Sequence, residues 1–241
     1  MKMFPTTNSY RLLVLAATVL LAVSYATAGT IGTYTGSDDG ASTTGPWPMS
    51  AAAQTAFLAA AGPTSLLTFE SLPVGYTNPL AAAPGVTISF TGPNFGCNYS
   101  GVCNSTYGNL YGFNITSGGS QWLGNVEGTT TYSFATPITA FGLYLTGVQT
   151  VFTTSFTLTF NDGTAQSLNL PINVNGGASY FGFTDTASFS SVTITNLSDD
   201  AWGMDDVSYS TQSSVPEPGT LVMLGSGLAG LAGFVRRKFV R

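Results

Sequence analysis

The sequence predicts an all-β fold, an antiparallel β-sandwich or jelly roll with one short N-terminal helix and a C-terminal transmembrane helix. Charged residues make up only 7% of the 241 residues and aromatic residues 12%, and there are 29 glycines. This composition is typical of strands and turns and not of exposed amphipathic helices. Short strand-like runs also recur along most of the chain with turn residues between them. Long apolar segments occur only at the two ends.

The strand-like runs begin after residue 64 and show no helical periodicity between them, which favours an antiparallel sandwich. Phe156, Leu158 and Phe160 alternate with threonines, the pattern of a strand with one buried face. The Asn161-Asp162-Gly163 sequence that follows predicts a hairpin turn. The predicted strands cover residues 66–70, 86–90, 109–116, 130–134, 138–145, 155–160, 166–170, 179–183, 191–195 and 204–209.

Residues 29–63 precede the sandwich as a lead rich in Gly, Thr and Ser, followed by an Ala-rich stretch. The Ala-rich stretch predicts a short helix over 50–61, with Ser50 as its N-cap and Gly62 as its C-terminal stop. Phe57 and Leu58 are its large apolar residues. We expect the helix to pack over one end of the sandwich through these two side chains.

The N-terminus has the parts of a secretory signal peptide. Lys2 and Arg11 precede an apolar run over 12–23, and Ala26-Thr27-Ala28 supplies the small-x-small pattern that signal peptidase accepts. A retained membrane helix would need about 20 apolar residues to cross the bilayer, and this run is shorter. We therefore predict a cleaved signal peptide over 1–28, which makes Gly29 the N-terminus of the exported chain.

The C-terminus has three parts. Pro216-Glu217-Pro218 comes first, and its two prolines hold the chain extended. An apolar segment over 220–235, rich in small residues, then forms a predicted helix that is just long enough to span a bilayer. The chain ends in a basic cluster over 236–241, which the positive-inside rule keeps in the cytoplasm. Everything between the two ends is then exported.

This tail, residues 215–241, resembles the PEP-CTERM sorting signal of Gram-negative bacteria in the order and spacing of its three parts. The resemblance implies an exosortase as the processing partner, with Pro216, Glu217 and Pro218 as the sorting motif. It also implies a precursor anchored in the inner membrane, followed by a location in the periplasm, at the cell surface or outside the cell. Organisms with this signal export polysaccharide, so exopolysaccharide is an expected partner. The predicted sandwich domain, residues 64–214, resembles more loosely the jelly-roll domains that often precede this tail.

The basic residues are confined to the two ends of the chain. All six lie there and the chain has no His, whereas ten of the eleven acidic residues lie between 29 and 214. Such a domain cannot neutralise phosphates, so no nucleic-acid partner is expected. It also lacks the imidazole of triad hydrolysis and the Lys or Arg clamps of phosphoryl transfer. We predict that the protein is not an enzyme.

Cys97 and Cys103 are the only two cysteines and lie in a stretch rich in Gly and Asn. After export they meet an oxidising compartment, so we predict a disulfide between them. Closing so small a loop contributes about 2 to 2.5 kcal/mol by the chain-entropy relation, which fixes the loop more than the fold. A zinc site is the alternative, but two thiols without a nearby His do not complete one.

The densest charge of the domain surrounds Trp202 and consists of Asp199, Asp200, Asp205 and Asp206. In a strand over 204–209, side-chain alternation turns either Asp205 or Asp206 toward the core. With no cationic side chain available, that carboxylate must bind a cation, accept backbone hydrogen bonds or protonate. We predict a structural calcium ion held by Glu70 and by Asp205 or Asp206, positions similar to the calcium ligands of jelly-roll carbohydrate-binding families. The alternative is a solvated acidic turn.

Three functions remain open. The leading hypothesis is a non-enzymatic exported protein with a structural or exopolysaccharide-associated role at the surface or in the extracellular matrix. The alternative is a recognition protein like a carbohydrate-binding module, which exposed coplanar aromatic side chains would favour, whereas buried Trp122 and Trp202 would favour a structural role. A hydrolase would need two facing carboxylates, and adjacent aspartates on one strand point apart.

Overall fold

Nine strands and one α-helix form the described part of the computed structural model, which covers residues 29–93, 100–108, 112–210 and Gly227. The elements are β1 (Ile31–Asp39), α1 (Pro48–Ala61), β2 (Thr64–Leu67), β3 (Leu80–Ala83), β4 (Val86–Phe90), β5 (Gly101–Asn104), a 3-10 helix (Ser105–Tyr107), β6 (Gln121–Thr146), β7 (Phe156–Asn161), β8 (Ala165–Asn169) and β9 (Gly177–Ser210). The named strands pair antiparallel throughout. This confirms the predicted all-β, antiparallel class.

Two long strands, β6 and β9, pass through both halves of the sandwich. In the first sheet, 138–146 of β6 lies between the first and last segments of β9, with β1 and β2 at the edges. In the second sheet, 128–134 of β6 pairs with 191–196 of β9, flanked by β4 and β3 on one side and by β7 and β8 on the other. The sequence predicted separate short strands here, whereas bulges let each chain segment continue from one sheet into the other.

The core lies between the two sheets and is rich in aromatic side chains. Phe160 of the second sheet stacks on Phe183 of the first, with ring centroids 4.5 Å apart and planes 25° apart. Phe156, Leu158 and Phe160 are buried as their alternation predicts, and the hairpin through Asn161-Asp162-Gly163 is confirmed. One continuous cluster of buried apolar residues joins both sheets.

The helix α1 lies on the outer face of the first sheet and not over the end of the sandwich. Its Phe57 is fully buried against Tyr180 and Tyr34, at ring distances of 5.8 and 6.0 Å, whereas Leu58 is 36% exposed. Gly62 ends the helix with φ 70°, as predicted. The N-cap prediction for Ser50 is wrong, because α1 begins at Pro48 and no side chain at its cap position makes a capping hydrogen bond.

A carboxylate from β1 satisfies the start of the helix instead. Asp38 accepts hydrogen bonds from the backbone N–H groups of Met49 and Ser50, at 3.1 and 2.8 Å, and from the Ser50 hydroxyl at 2.7 Å. A negative charge at this end also suits the helix dipole. The Gly/Thr-rich lead therefore contributes a strand to the first sheet and the cap to its helix.

Two further predictions differ from the structure or lie outside it. The strand predicted over 109–116 is wrong for 112–116, which are irregular, and 109–111 are not described. Among the described residues, no helix has the length and apolar character that crossing a membrane requires. The predicted signal peptide and, apart from Gly227, the predicted C-terminal helix lie outside the described residues.

Candidate functional site

The two sheets differ in what covers their outer faces. On the first sheet α1 packs through Phe57, and Gln54 accepts a hydrogen bond from the hydroxyl of Tyr144 at 3.2 Å. In the second sheet, strands β4, β6, β7 and β9 turn apolar residues to the core and Ser or Thr residues outward. No described helix lies on that outer face.

Strand register aligns the outward hydroxyl groups in rows. The central row crosses five strands and consists of Ser89, Thr131, Thr193, Thr159 and Ser167. The rows on either side contain Thr129, Thr195 and Thr157, and Thr87, Ser133 and Ser191. At a strand spacing of about 4.8 Å, the central row is roughly 19 Å long. We term these side chains the hydroxyl face.

The hydroxyl face is ordered and free of charge. The Thr131 and Thr193 hydroxyls hydrogen-bond each other at 2.9 Å across β6 and β9. The central members of the row are half-buried and Ser167 at the edge is exposed. The strand segments that form this face contain no Asp, Glu, Lys, Arg or His.

An open groove of about 400 Å³ lies at the edge of this face, between β8 and β9. Its lining residues are Thr159, Phe160, Asn161, Ala165, Gln166, Ser167, Ser191 and Thr193. Each hydroxyl can donate one hydrogen bond and accept two, and the amides do both. The face and groove are therefore chemically suited to a polyhydroxylated, uncharged surface and carry no acid, base or nucleophile pair.

The sequence prediction missed this face because it searched for aromatic and acidic residues. The signal was present as Thr or Ser at every second position of four strand segments, for example 129–133 and 191–195. Such alternation is typical of the solvent side of ordinary strands and does not by itself indicate a site. Only the register shows that the hydroxyls of different strands meet in rows.

Asp205 is fully buried, but on the outer face of the first sheet and not in the core between the sheets. It lies opposite Tyr144, whose side chain belongs to the cluster beneath α1, whereas Val207 faces the core. Asp205 Oδ2 accepts hydrogen bonds from the backbone N–H groups of Ile115 and Thr116 at 2.7 and 3.2 Å, and its Oδ1 accepts one from the Asp206 N–H at 2.8 Å. Burial raises the pKa of Asp205 to about 8, although the hydrogen bond from Ile115 opposes the shift. The buried carboxylate thus holds the loop at 112–116 onto the last segment of β9.

Asp206 and Glu70 each accept hydrogen bonds from residues within 116–121. Asp206 lies in the left-handed region, with φ 46°, and its Oδ1 accepts the Thr116 hydroxyl at 2.6 Å. Glu70 Oε1 accepts the backbone N–H groups of Ser120 and Gln121, at 2.9 and 2.8 Å. Burial raises the pKa of Asp206, and the Glu70 carboxylate adds to that shift. Both aspartates therefore contact Thr116, Asp205 through its N–H and Asp206 through its hydroxyl, while Glu70 holds the residues at 120–121.

The residues predicted to bind calcium meet N–H and O–H donors. Within the described ranges, no three Asp, Glu, Cys or His side chains gather so that they could hold a metal ion. Of the three outcomes open to the buried carboxyl group, Asp205 combines two: it accepts backbone hydrogen bonds, and its raised pKa of about 8 keeps it protonated at lower pH. As placed, its oxygens do not fit a cation, because N–H donors point at both of them. Calcium binding at Glu70 and Asp206 stays a prediction.

The other two aspartates near Trp202, Asp199 and Asp200, do not lie with Asp205, Asp206 and Glu70. Asp200 is buried, and its Oδ2 accepts the Gln149 N–H at 3.0 Å and the Thr153 hydroxyl at 2.7 Å. Burial raises the pKa of Asp200. Asp199 is exposed. The four aspartates that are dense in sequence are therefore divided among separate polar contacts.

The remaining predicted features concern the cysteines and tryptophans. Cys103 is buried on β5, but Cys97 lies outside the described residues, so the disulfide stays a prediction. Trp122 and Trp202 are buried, at 1% and 0% exposure, and Trp202 packs edge-on against Phe156. These two side chains cannot form an exposed stacking platform for a sugar.

The comparisons with known proteins bear on the central domain only weakly. None of the curated proteins matches the sequence. The K2 cleaved adhesin domain of Lys-gingipain has a TM-score of 0.41 at 13% identity, over 62% of this chain and 98% of that domain. A mutant of the family 29 carbohydrate-binding module CBM29-2 has a TM-score of 0.33 at 8% identity, over 65% and 99%. TmCBM61 in complex with β-1,4-galactotriose has 0.27 at 12%, over 55% and 97%. Similarities this low carry no argument about this domain.

The C-terminal comparison is specific. A family model described as the PEP-CTERM protein-sorting motif matches residues 214–238. The match contains the predicted sorting residues Pro216, Glu217 and Pro218, all of the predicted helix over 220–235 and residues 236–238 of the basic cluster. The resemblance drawn from the sequence is confirmed. The chain carries a PEP-CTERM protein-sorting motif, as expected of an exported exosortase substrate whose precursor is anchored in the membrane.

Proposed function

We propose that the exported domain is a non-enzymatic matrix protein that contacts exopolysaccharide through the hydroxyl face. The observation that carries this proposal is the row of Ser and Thr hydroxyls across five strands, on the sheet face that α1 leaves open. The chain carries the PEP-CTERM sorting motif, and the resemblance noted in the sequence, to a signal of organisms that export polysaccharide, supports the choice of ligand. The domain holds the polymer, and no step of bond cleavage is part of the proposal.

The contact is expected to consist of many weak hydrogen bonds. A single neutral hydrogen bond contributes only about 0.5 to 1.5 kcal/mol net, because it replaces bonds to water. A repeating polymer that meets several hydroxyls at once, on several copies of the protein, gains affinity by multivalency. The face itself carries no charge, but the domain has ten carboxylates and no basic side chain, which favours a neutral polymer over one rich in uronic acids. Buried Trp122 and Trp202 favour this extended contact over stacking on a short glycan.

The groove beside the face favours a second candidate, a recognition protein like a carbohydrate-binding module. Its volume of about 400 Å³ is within the range of small-molecule sites, and its lining is polar on the β8 side. In that case a defined oligosaccharide would bind in the groove with measurable affinity, and the hydroxyl face would contribute less to binding. A glycan array separates the two candidates, since only the groove would discriminate among short sugars.

Removing hydroxyls from the central row is expected to weaken polysaccharide binding. A variant with Thr131→Val, Thr159→Val and Thr193→Val keeps side-chain shape and β propensity but deletes three hydroxyls. We expect binding to the host's exported polysaccharide, measured by co-sedimentation, to fall at least about tenfold at unchanged melting temperature. Thr33→Val with Thr35→Val, at exposed positions of β1, is the matched control and should bind like the natural protein. Full binding by the triple variant would show that the hydroxyl face does not bind the polysaccharide. Release of reducing ends from the polysaccharide would show that the protein is a hydrolase.

Processing at both ends is expected to leave a chain that trypsin cannot cut. No Lys or Arg occurs between 14 and 235, so the mature protein has no trypsin site even when unfolded in urea. Mass spectrometry of surface protein from a host with a working exosortase should find neither residues 1–28 nor the C-terminal basic cluster. An intact Arg236–Arg241 segment on that protein would contradict processing by the exosortase.

A further inference from the structure

Two buried carboxylates meet at one end of the sandwich, one from each sheet. Asp162 lies in the turn between β7 and β8, and Asp185 lies on β9 opposite Ile31 of β1. They are 7% and 6% exposed. Because residues 14–235 contain no cationic side chain, none of the domain's side chains can neutralise the pair.

The pair is only partly satisfied by hydrogen bonds. Asp162 Oδ1 accepts the backbone N–H and the hydroxyl of Thr164, at 3.0 and 2.8 Å. Asp185 Oδ1 accepts the Ala187 N–H at 3.0 Å, whereas its Oδ2 is buried without a hydrogen-bond donor among the described residues. Burial raises the pKa of Asp185, and the neighbouring Asp162 carboxylate raises it further. An unpartnered buried oxygen therefore faces a site that favours a positive charge.

The backbone of Gly29 lies directly against both carboxylates. Its nitrogen donates a hydrogen bond to Asp162 Oδ2 at 3.0 Å. A Cβ atom at this position would overlap Oδ1 of Asp185, so only glycine brings the backbone this close. These contacts, with those of Thr164 and Gln166, hold the pKa of Asp162 below its usual range although burial opposes them.

Gly29 is also the residue that the predicted signal-peptide cleavage makes the N-terminus. We propose that the α-ammonium group released at Gly29 binds the Asp162 and Asp185 carboxylates, so that export processing supplies the buried cation that the folded domain lacks. Signal peptidase hydrolyses the Ala28–Gly29 peptide bond with one water molecule, which leaves a carboxylate on Ala28 and an ammonium group on Gly29. Before cleavage the nitrogen has one N–H, and afterwards it has three and a full charge.

The consequence is a link between the two sheets that forms only in the exported protein. The ammonium group joins β9 of the first sheet, through Asp185, to the β7–β8 turn of the second, through Asp162. Three donors allow it to keep the bond to Asp162 and to reach the unpartnered Oδ2 of Asp185. Breaking a buried ion pair is strongly destabilising, since it leaves uncompensated charge.

Moving the ammonium group by one residue tests the proposal. A Ser inserted between Ala28 and Gly29, with cleavage kept after Ala28, displaces the charge by up to about 3.5 Å. We expect the exported chain, with its C-terminal segment, to lose at least about 5 °C in melting temperature. In a background with both Asp162→Asn and Asp185→Asn the same insertion should change the melting temperature by less than about 2 °C, whereas an Asp199→Asn background should keep the full loss. An equal loss in both backgrounds, or none in the natural sequence, would overturn the proposal.

A second measurement does not depend on any variant folding. The pKa of the Gly29 amine in the natural exported chain, from the pH dependence of its acylation rate, should exceed the usual 7.7 to 8.0 by at least about one unit. The titratable groups that face this nitrogen are Asp162 from the β7–β8 turn and Asp185 from β9. An amine with an ordinary pKa, or an exported chain that begins at a residue other than Gly29, contradicts the proposal.

Discussion

The folded domain is expected to lose stability as the pH rises from 5 to 7.5, because Asp205 holds a proton in the folded state. Burial raises the pKa of this carboxyl to about 8, whereas its unfolded value is 3.8. Between these values the folded state binds one proton more than the unfolded state. The stabilisation is therefore complete below about pH 4 and declines by up to about 1.4 kcal/mol per pH unit as the pH rises toward 8.

Urea unfolding at pH 5, 6, 7 and 7.5 measures this slope. Asp205→Asn should reduce it strongly, and Asp199→Asn, at an exposed position, should leave it unchanged. Burial also raises the pKa values of Asp185, Asp200 and Asp206, so a smaller slope of the same sign remains. The lowered pKa of Asp162 acts in the opposite direction, but only below about pH 4. A flat profile in the natural protein would mean that Asp205 is ionised when folded.

The Phe183→Ala variant is expected to lose about 3 to 5 kcal/mol of unfolding free energy. Phe183 is fully buried, stacks on Phe160 of the other sheet at 4.5 Å and lies 5.1 Å from the ring of Phe189. Its removal leaves a cavity at the contact between the sheets that the surrounding rings cannot fill. Unfolding in urea, followed by tryptophan fluorescence, gives the change directly.

Phe152→Ala is the matched control, since it deletes the same side chain where 52% of it is exposed. We expect its effect to stay below about 1 kcal/mol. If the two variants lose similar stability, the sheets are not held together at Phe183. In that case the packing between β7 and β9 is looser than the ring distances indicate.

The sequence predicted those strands in which apolar residues alternate clearly. Phe156, Leu158 and Phe160 faced the core as expected, and Asn161-Asp162-Gly163 formed the hairpin. β1 was missed because Gly, Thr and Ser dominate Ile31–Asp39, and none of its residues is fully buried. Its strand conformation comes from pairing with β9 and from the cover of α1, which are long-range contacts that local sequence does not encode.

The candidate site was less predictable than the fold. One of the two adjacent aspartates, Asp205, is buried, but on the outer face of the first sheet and not toward the core, and its partners come from a loop 89 to 90 residues earlier in the chain. That same loop was predicted as a strand, so its N–H groups were assigned to a sheet. The hydroxyl face and the Gly29 contact with Asp162 likewise join residues that are distant in sequence, 133 residues apart in the second case.

The position of the last β9 segment determines how the domain responds to mechanical tension. This segment ends at Ser210 as an interior strand, paired with β6 on one side and β2 on the other. The sorting motif begins only a few residues later, at 214, so a pull on an anchored C-terminus reaches the domain at this strand. Force along the strand axis loads the hydrogen bonds of both ladders together in shear, and not one after another as in peeling. A protein tethered by this end would resist fluid drag at an inner strand and not at the edge strands β3 and β8.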